Sequence, residues 1–236
     1  MLSFIIPAYN EELELPLTLA SVHAAAASAH RPYEIVVVDD GSTDETAALA
    51  RQAGARVIPI NRRQIAAARN AGARAAKGDV LFFVDADTQI SSGHVFSAVR
   101  ALLRGCAGGG ARVVTDGKIP RWARISVYLF CRIYFAANLG AGAFLFTTRA
   151  NFDRVGGFDE QFFAGEEVYF SLALKKLGHF VMLDEPVLTS GRKLRMYSSW
   201  HVLSRSLAII AGGQRAVRSR RKLDLWYDGK REQGAG

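Results

Sequence analysis

Ile35-Val36-Val37-Val38-Asp39-Asp40-Gly41-Ser42-Thr43-Asp44-Glu45 is a run of branched apolar residues that ends on two carboxylates and a turn. Four consecutive β-branched side chains without polar alternation predict a strand buried on both faces, as in a parallel sheet. Gly41-Ser42-Thr43 turns the chain. Ser42 and Glu45 have the Ser-x-x-Glu spacing of a capping box, which opens a helix over Glu45 to Gln52.

The same unit recurs on either side. Short Val-, Ile- and Phe-rich runs at Leu2 to Pro7, Glu34 to Val38, Arg56 to Ile60, Val80 to Val84, Arg112 to Thr115 and Ala143 to Phe146 read as strands. Ala- and Leu-rich segments at Leu15 to Ala29, Glu45 to Gln52, Gln64 to Ala76 and His94 to Leu103 read as helices between them. The β-α-β-α alternation predicts an α/β fold, a mainly parallel sheet with helices on both faces. Gly54 and Gly78 close helices, and Gly105 to Gly110 reads as a surface loop before a strand.

Composition agrees. The chain has 236 residues, 50% hydrophobic and 22% charged, with 6 Pro, which excludes disordered and collagen-like classes. Two cysteines, Cys106 and Cys131, make neither a disulfide scaffold nor a metal-ligand pattern, so a reducing, cytoplasmic setting is expected. The start, Met1 to Pro7, lacks a basic region and cleavage site, so no export signal is expected. The longest uncharged stretch, Ile133 to Thr148, has 16 residues, too few for a spanning helix.

The formal charge of +8 is C-terminal: residues 192–236 carry 11 Lys and Arg against 3 Asp and Glu, and the remainder is balanced. Arg215, Arg218, Arg220, Arg221 and Lys222 follow the apolar segment Trp200 to Ala211, and Trp122 to Asn138 interleaves aromatic residues with Arg124 and Arg132. Such segments suit either the anionic inner face of a membrane, with peripheral attachment, or packing on the sheet and a solvated tail. Without a recognition helix or an aromatic-basic platform, nucleic acid is not an expected partner.

In an open parallel sheet, ligands bind beyond the carboxyl ends of the strands. Polar residues stand there at Tyr9-Asn10-Glu11-Glu12, Asp39-Asp40 and Asp85-Ala86-Asp87, and Glu166-Glu167 opens a later helix. Two carboxylates in Asp-x-Asp can hold an oxygen-loving cation, Mg²⁺ or Mn²⁺, that also meets the phosphates of a nucleotide, although the pattern also occurs in turns and caps. The dinucleotide-binding glycine fingerprint, the P-loop and the Gly-x-Ser-x-Gly elbow are all missing from the sequence.

Taken together, Phe4 to Glu12, Ile35 to Asp44, Ala68-Arg69-Asn70-Ala71-Gly72, Gly78 to Asp87, Gly142-Ala143-Phe144, Arg154 to Glu160 and Gly165-Glu166-Glu167-Val168 resemble the family 2 glycosyltransferases of the GT-A fold over roughly residues 1–190. The resemblance implies a GT-A domain over 1–191. Its Rossmann-like half, 1–115, would bind the nucleotide sugar, and 116–191 would carry the acceptor side and catalysis. A basic helical extension would follow over 192–236.

It also implies inverting transfer of a sugar from a nucleotide-diphosphate donor to the hydroxyl of a saccharide or lipid-linked acceptor. Pro7, Tyr9, Glu11 and Asp40 would hold the nucleoside, Arg69 would lie beside it, and Asp85 with Ala86 would face the ribose. Asp87 would ligate the metal. Glu167, or its neighbour Glu166, would take the acceptor proton, although the family motif is usually Glu-Asp. Many relatives carry a metal-completing His after the strand read here over Phe180 to Leu183, where this chain has Leu188-Thr189-Ser190-Gly191-Arg192-Lys193. Arg192 or Lys193, on a mobile loop, is therefore expected to meet the diphosphate and supplement the metal. A sugar nucleotidyltransferase and a non-catalytic nucleotide-sugar or lipid-binding module are the competing readings.

Overall fold

A computed structural model of the protein describes residues 1–116, 140, 142–192 and 218. Trp122 to Asn138, Cys131, Lys193, Trp200 to Ala211 and the arginine cluster other than Arg218 lie outside the described residues.

The elements run β1 (Leu2–Ala8), α1 (Leu15–Ala27), β2 (Tyr33–Asp39), α2 (Thr46–Gln52), β3 (Arg56–Pro59), α3 (Ile65–Ala75), β4 (Val80–Val84), β5 (Thr88–Gln89), α4 (Ser92–Leu103), β6 (Gly108–Thr115), β7 (Phe144–Thr148), α5 (Arg149–Val155), α6 (Glu166–Leu177) and β8 (Phe180–Thr189). They build one sheet in the order β3-β2-β1-β4-β7-β6-β8-β5. The pairs β1–β2, β2–β3, β1–β4 and β6–β8 are parallel, whereas β7 runs antiparallel to β4 and β6, and β5 antiparallel to β8.

Every residue of β1 is buried, because alternate side chains enter two separate cores. Leu2, Phe4, Ile6 and Ala8 pack with Leu15, Leu19 and Val22 of α1 and with Val95 and Ala98 of α4. Ile5 faces the opposite layer, where Ala66, Ala68 and Ala73 of α3 meet Phe152 of α5 and Phe170 and Leu174 of α6. Aromatic rings fill the centre of both layers: Phe4 stacks on Phe82 at 4.7 Å, and Phe83 meets Phe158 edge-on at 4.9 Å.

Three local expectations need correction. Gly108, Gly109 and Gly110 are not in a surface loop but in β6, buried against β7 and β8. A β-carbon on Gly109 would overlap the Val181 carbonyl and the Phe146 ring, so bare backbone is what lets three strands pass there. Gly109→Ala is expected to destabilise the fold by about 2 kcal/mol through overpacking, read as a lowered urea midpoint. An unchanged midpoint would show that the sheet can yield.

Ser42 does not cap α2. Its hydroxyl accepts the Asn10 N–H, and Asp44 takes the Thr46 N–H and hydroxyl instead. The capping box that does form is Ser91 with His94, on α4. Finally, β8 continues six residues beyond Leu183 to Thr189, held by β6 and β5.

Strand order places the site. The chain moves outward from β1 through β2 to β3, then returns to lay β4 on the other side of β1. A crevice opens where the direction reverses, beyond the carboxyl ends of β1 and β4.

Candidate active site

That crevice is a cavity of about 330 Å³. Pro7, Tyr9 and Glu11 reach it from the end of β1, Asp40 from β2, Asp85, Ala86 and Asp87 from β4, and Arg69 from α3. Glu166 and Glu167 enter from the first turn of α6, and Arg192 follows β8. Eleven of the residues singled out in the sequence therefore line one space, and their contacts distinguish them.

Asp40 is buried, and its carboxylate is engaged by the chain itself. Oδ1 accepts the backbone N–H groups of Arg62 and Arg63 at 2.6 and 2.8 Å, and Oδ2 accepts that of Gln64 at 2.8 Å. It thus fastens the turn that enters α3, where Arg63 adopts a φ of 50°. The turn lays the Arg63 guanidinium 3.2 Å above the Tyr9 ring. Arg63 escaped the sequence reading, because only the fold brings residues 62–64 to the mouth of the cavity. A basic pair directly before a helix was the one available signal.

Arg69 is 1% exposed. Its Nη2 donates to Asp85 Oδ1 at 2.8 Å and to the Gly142 carbonyl at 2.9 Å, and Nη1 donates to Glu166 Oε1 at 2.5 Å. Burial alone would lower the guanidinium pKa, but the charges of Asp85, Glu166 and Glu167 hold it above the usual range. Arg69 therefore joins the end of β4 to the start of α6 and lies among carboxylates, not in open solvent.

Gly165, at a φ of 73°, delivers the chain into α6, so that Glu166 and Glu167 stand at its positive end. Glu166 is buried and committed to Arg69. Glu167 makes no ion pair among the described residues. Although the residue as a whole keeps some exposure, desolvation of its carboxyl and the neighbouring Glu166 charge push it up to about 8, against the pull of Arg69. Of the two, Glu167 is the carboxyl without an ion pair among the described residues, and its proton affinity lies near the neutral range.

Arg192 is 7% exposed. It grips Glu11 with both ends of its fork, Nη1 to Oε2 at 2.5 Å and Nη2 to Oε1 at 2.6 Å, and Nη2 lies 3.3 Å from Asp87 Oδ2. The expected mobile loop is pinned as far as it is described. The Ser190 N–H donates to the Asp87 carbonyl, its hydroxyl to Glu14, and the Gly191 N–H to Asp116. Asp87 Oδ1 in turn accepts the Thr189 hydroxyl at 3.2 Å.

The site is thus two arginines, each shared by two carboxylates, with Glu167 between desolvation and ionisation. A family model for glycosyl transferase family 2 matches residues 3–160. The chain belongs to that family. The undecaprenyl-phosphate 4-deoxy-4-formamido-L-arabinose transferase of Aeromonas hydrophila subsp. hydrophila is 36% identical over 113 residues, covering 44% of this chain and 34% of that protein. The chain thus spans about a third of the length of that curated relative.

Among solved structures, the mannosyltransferase PcManGT from Pyrobaculum calidifontis, in complex with GDP-Man and Mn²⁺, superposes with a TM-score of 0.67 at 19% identity, over 96% of this chain and 67% of that one. Glucosyl-3-phosphoglycerate synthase from Mycobacterium tuberculosis, in complex with Mn²⁺, UDP and glucosyl-3-phosphoglycerate, gives a TM-score of 0.63 at 19% identity, over 93% of this chain and 81% of that one. The GT-A fold expected from the sequence is therefore the fold of the family 2 chain. No helix among the described residues is long and apolar enough to cross a membrane.

Proposed function

We propose that this chain is an inverting glycosyltransferase that moves a sugar from a nucleotide-diphosphate donor to an acceptor hydroxyl. The observation that carries the reading is the placement of a desolvated Glu167, without an ion pair among the described residues, in the same cavity as the strand ends of β1 and β4. The acceptor oxygen attacks the anomeric carbon, the bond from that carbon to the diphosphate breaks, and the acceptor proton passes to Glu167. Glu166 holds Arg69, and through it Asp85, so that both walls of the cavity keep their spacing. Pro7, Tyr9 and Ala86 supply the flat and apolar surface for the nucleoside, and Asp40 fixes the turn that borders it.

The solved neighbours hold Mn²⁺, and Asp87 is the residue that would ligate Mg²⁺ or Mn²⁺ here. Among the described residues, however, no group of three His, Cys, Asp or Glu is arranged to hold a metal. Asp87 is already engaged by Thr189 and Arg192. The described residues do not fit a ready cation site, and no step above depends on one.

The relative's name favours a second acceptor class, a polyprenyl phosphate. Such an acceptor would attack through an ionised phosphate oxygen and need no base. It would also suit a catalytic domain attached peripherally to the cytoplasmic face of a membrane through its basic C-terminal residues.

Calorimetric titration with UDP, GDP, UDP-glucose and GDP-mannose, in buffer containing Mn²⁺, tests the donor site. One nucleotide class is expected to bind, and Tyr9→Ala to weaken it roughly tenfold or more through lost base stacking. Absence of binding by all four would sink the transferase reading and favour a lipid-binding module.

A further inference from the structure

Both carboxylates of Asp85-Ala86-Asp87 carry an arginine. Asp85 pairs with Arg69 at 2.8 Å and Asp87 with Arg192 at 3.3 Å. Only the second pair occupies the carboxylate expected to hold the metal, Asp87. A divalent ion on Asp87 would stand almost in contact with the Arg192 guanidinium. The two cations are therefore alternatives at one carboxylate.

The geometry favours the arginine. Glu11 grips the guanidinium in a two-pronged pair that fixes its plane, a match an ammonium could not make. The backbone beneath it is tied to Asp87, Glu14 and Asp116 through Ser190 and Gly191. Arg192 is buried, yet it lines the cavity, and its Glu11 and Asp87 contacts engage at most three of five N–H donors. The remaining donors suit phosphate oxygens.

Resting on the sugar-nucleotide reading of this cavity, we propose that Arg192 is the resident cation of the diphosphate subsite, held by Glu11 against Asp87, so that this chain binds nucleoside diphosphates without a divalent metal. The arginine then does what a metal does in a filled Asp-x-Asp site: it offsets the charge that collects on the leaving diphosphate as the bond to the anomeric carbon breaks. Glu11 is a positioning residue, acting on the donor through Arg192.

Calorimetry with UDP and GDP, each in EDTA and in Mn²⁺, reads the proposal on the wild type alone. The nucleotide that binds is expected to keep its affinity in EDTA to within about threefold. Arg192→Gln, compared in EDTA, is expected to lose roughly 10- to 100-fold, the scale of charge-assisted hydrogen bonds, and to recover part of it in Mn²⁺ because Asp87 is released. Arg192→Lys keeps the charge without the fork and should fall between; its thermal melt serves as the folding control. Mn²⁺ titrated alone is expected to give no heat with the wild type. Wild-type binding that needs Mn²⁺ overturns the proposal whatever the variants do, as does an Arg192→Gln variant that binds in EDTA as tightly as the wild type. Failure of both nucleotides to bind under either condition overturns the donor reading, and this inference with it.

Discussion

Glu167→Gln is expected to lower the transfer rate to a hydroxyl acceptor by about 10²- to 10⁴-fold, the usual contribution of a positioned proton acceptor, with donor affinity nearly unchanged. Hydrolysis of the nucleotide sugar that binds, with water as the surrogate acceptor, makes the effect measurable before the natural acceptor is identified. A base must be unprotonated to act. Because the Glu167 carboxyl is pushed up to about 8, wild-type hydrolysis should rise with pH through that value, and the Gln variant should be flat. An acceptor that attacks as an ionised phosphate oxygen has no proton to give, so an unchanged rate in the variant with such an acceptor would move the assignment to the polyprenyl phosphate class.

The same carboxyl makes a separate mark on stability. Its folded-state pKa lies above the ordinary value of 4.5, so the folded protein holds the proton more tightly than the unfolded chain does. The stabilising contribution is complete below about pH 4.5 and is lost as pH rises through about 8. In urea melts, Glu167→Gln should remove that decline, leaving the variant relatively more stable than the wild type above pH 8. A role confined to capping α6 would predict a loss of stability from the substitution at every such pH, since the negative end-charge at the helix dipole disappears.

The half of the sheet around β1 was legible because β1, β2 and β4 are buried on both faces, so their sequences are unbroken apolar runs, and each is followed by a polar residue at the crevice, Tyr9, Asp40 and Asp85. Gly108–Gly110 was not, since a strand segment without side chains carries no periodicity to read; what makes it a strand is the nearness of Phe146 and Val181. The candidate site was legible as a set of positions and illegible as a set of bonds. Asp40 looks like any polar strand end until the turn at 62–64 folds over it. Arg192 and Glu11 are 181 residues apart, and Arg69 and Glu166 are 97 apart. Local pattern reports chemistry available to a site, whereas the pairing of charges depends on which strand lies beside which.

Arg69→Met should be the most damaging of the single changes. Methionine fills much of the same volume, so the test concerns charge more than space. Removing the guanidinium leaves Glu166, 3% exposed, facing Asp85 with the shared cation gone and the Gly142 carbonyl without its donor. Breaking a buried ion pair from one side costs about 3–5 kcal/mol. For a chain of this length that corresponds to a melting temperature lower by roughly 10 °C. Glu166→Gln in the Arg69→Met background should return part of the loss, and the double-mutant cycle should show coupling of about 1–3 kcal/mol. Additive losses would mean that the pair contributes nothing of its own. The rate profile supplies a readout that mere destabilisation would not move: Arg69 pulls the Glu167 pKa down and Glu166 pushes it up. The midpoint of the pH–rate curve should therefore move above about 8 in Arg69→Met and below it in Glu166→Gln. Midpoints that stay together in both variants would separate Glu167 from the Arg69 network and leave Arg69 with a purely structural role.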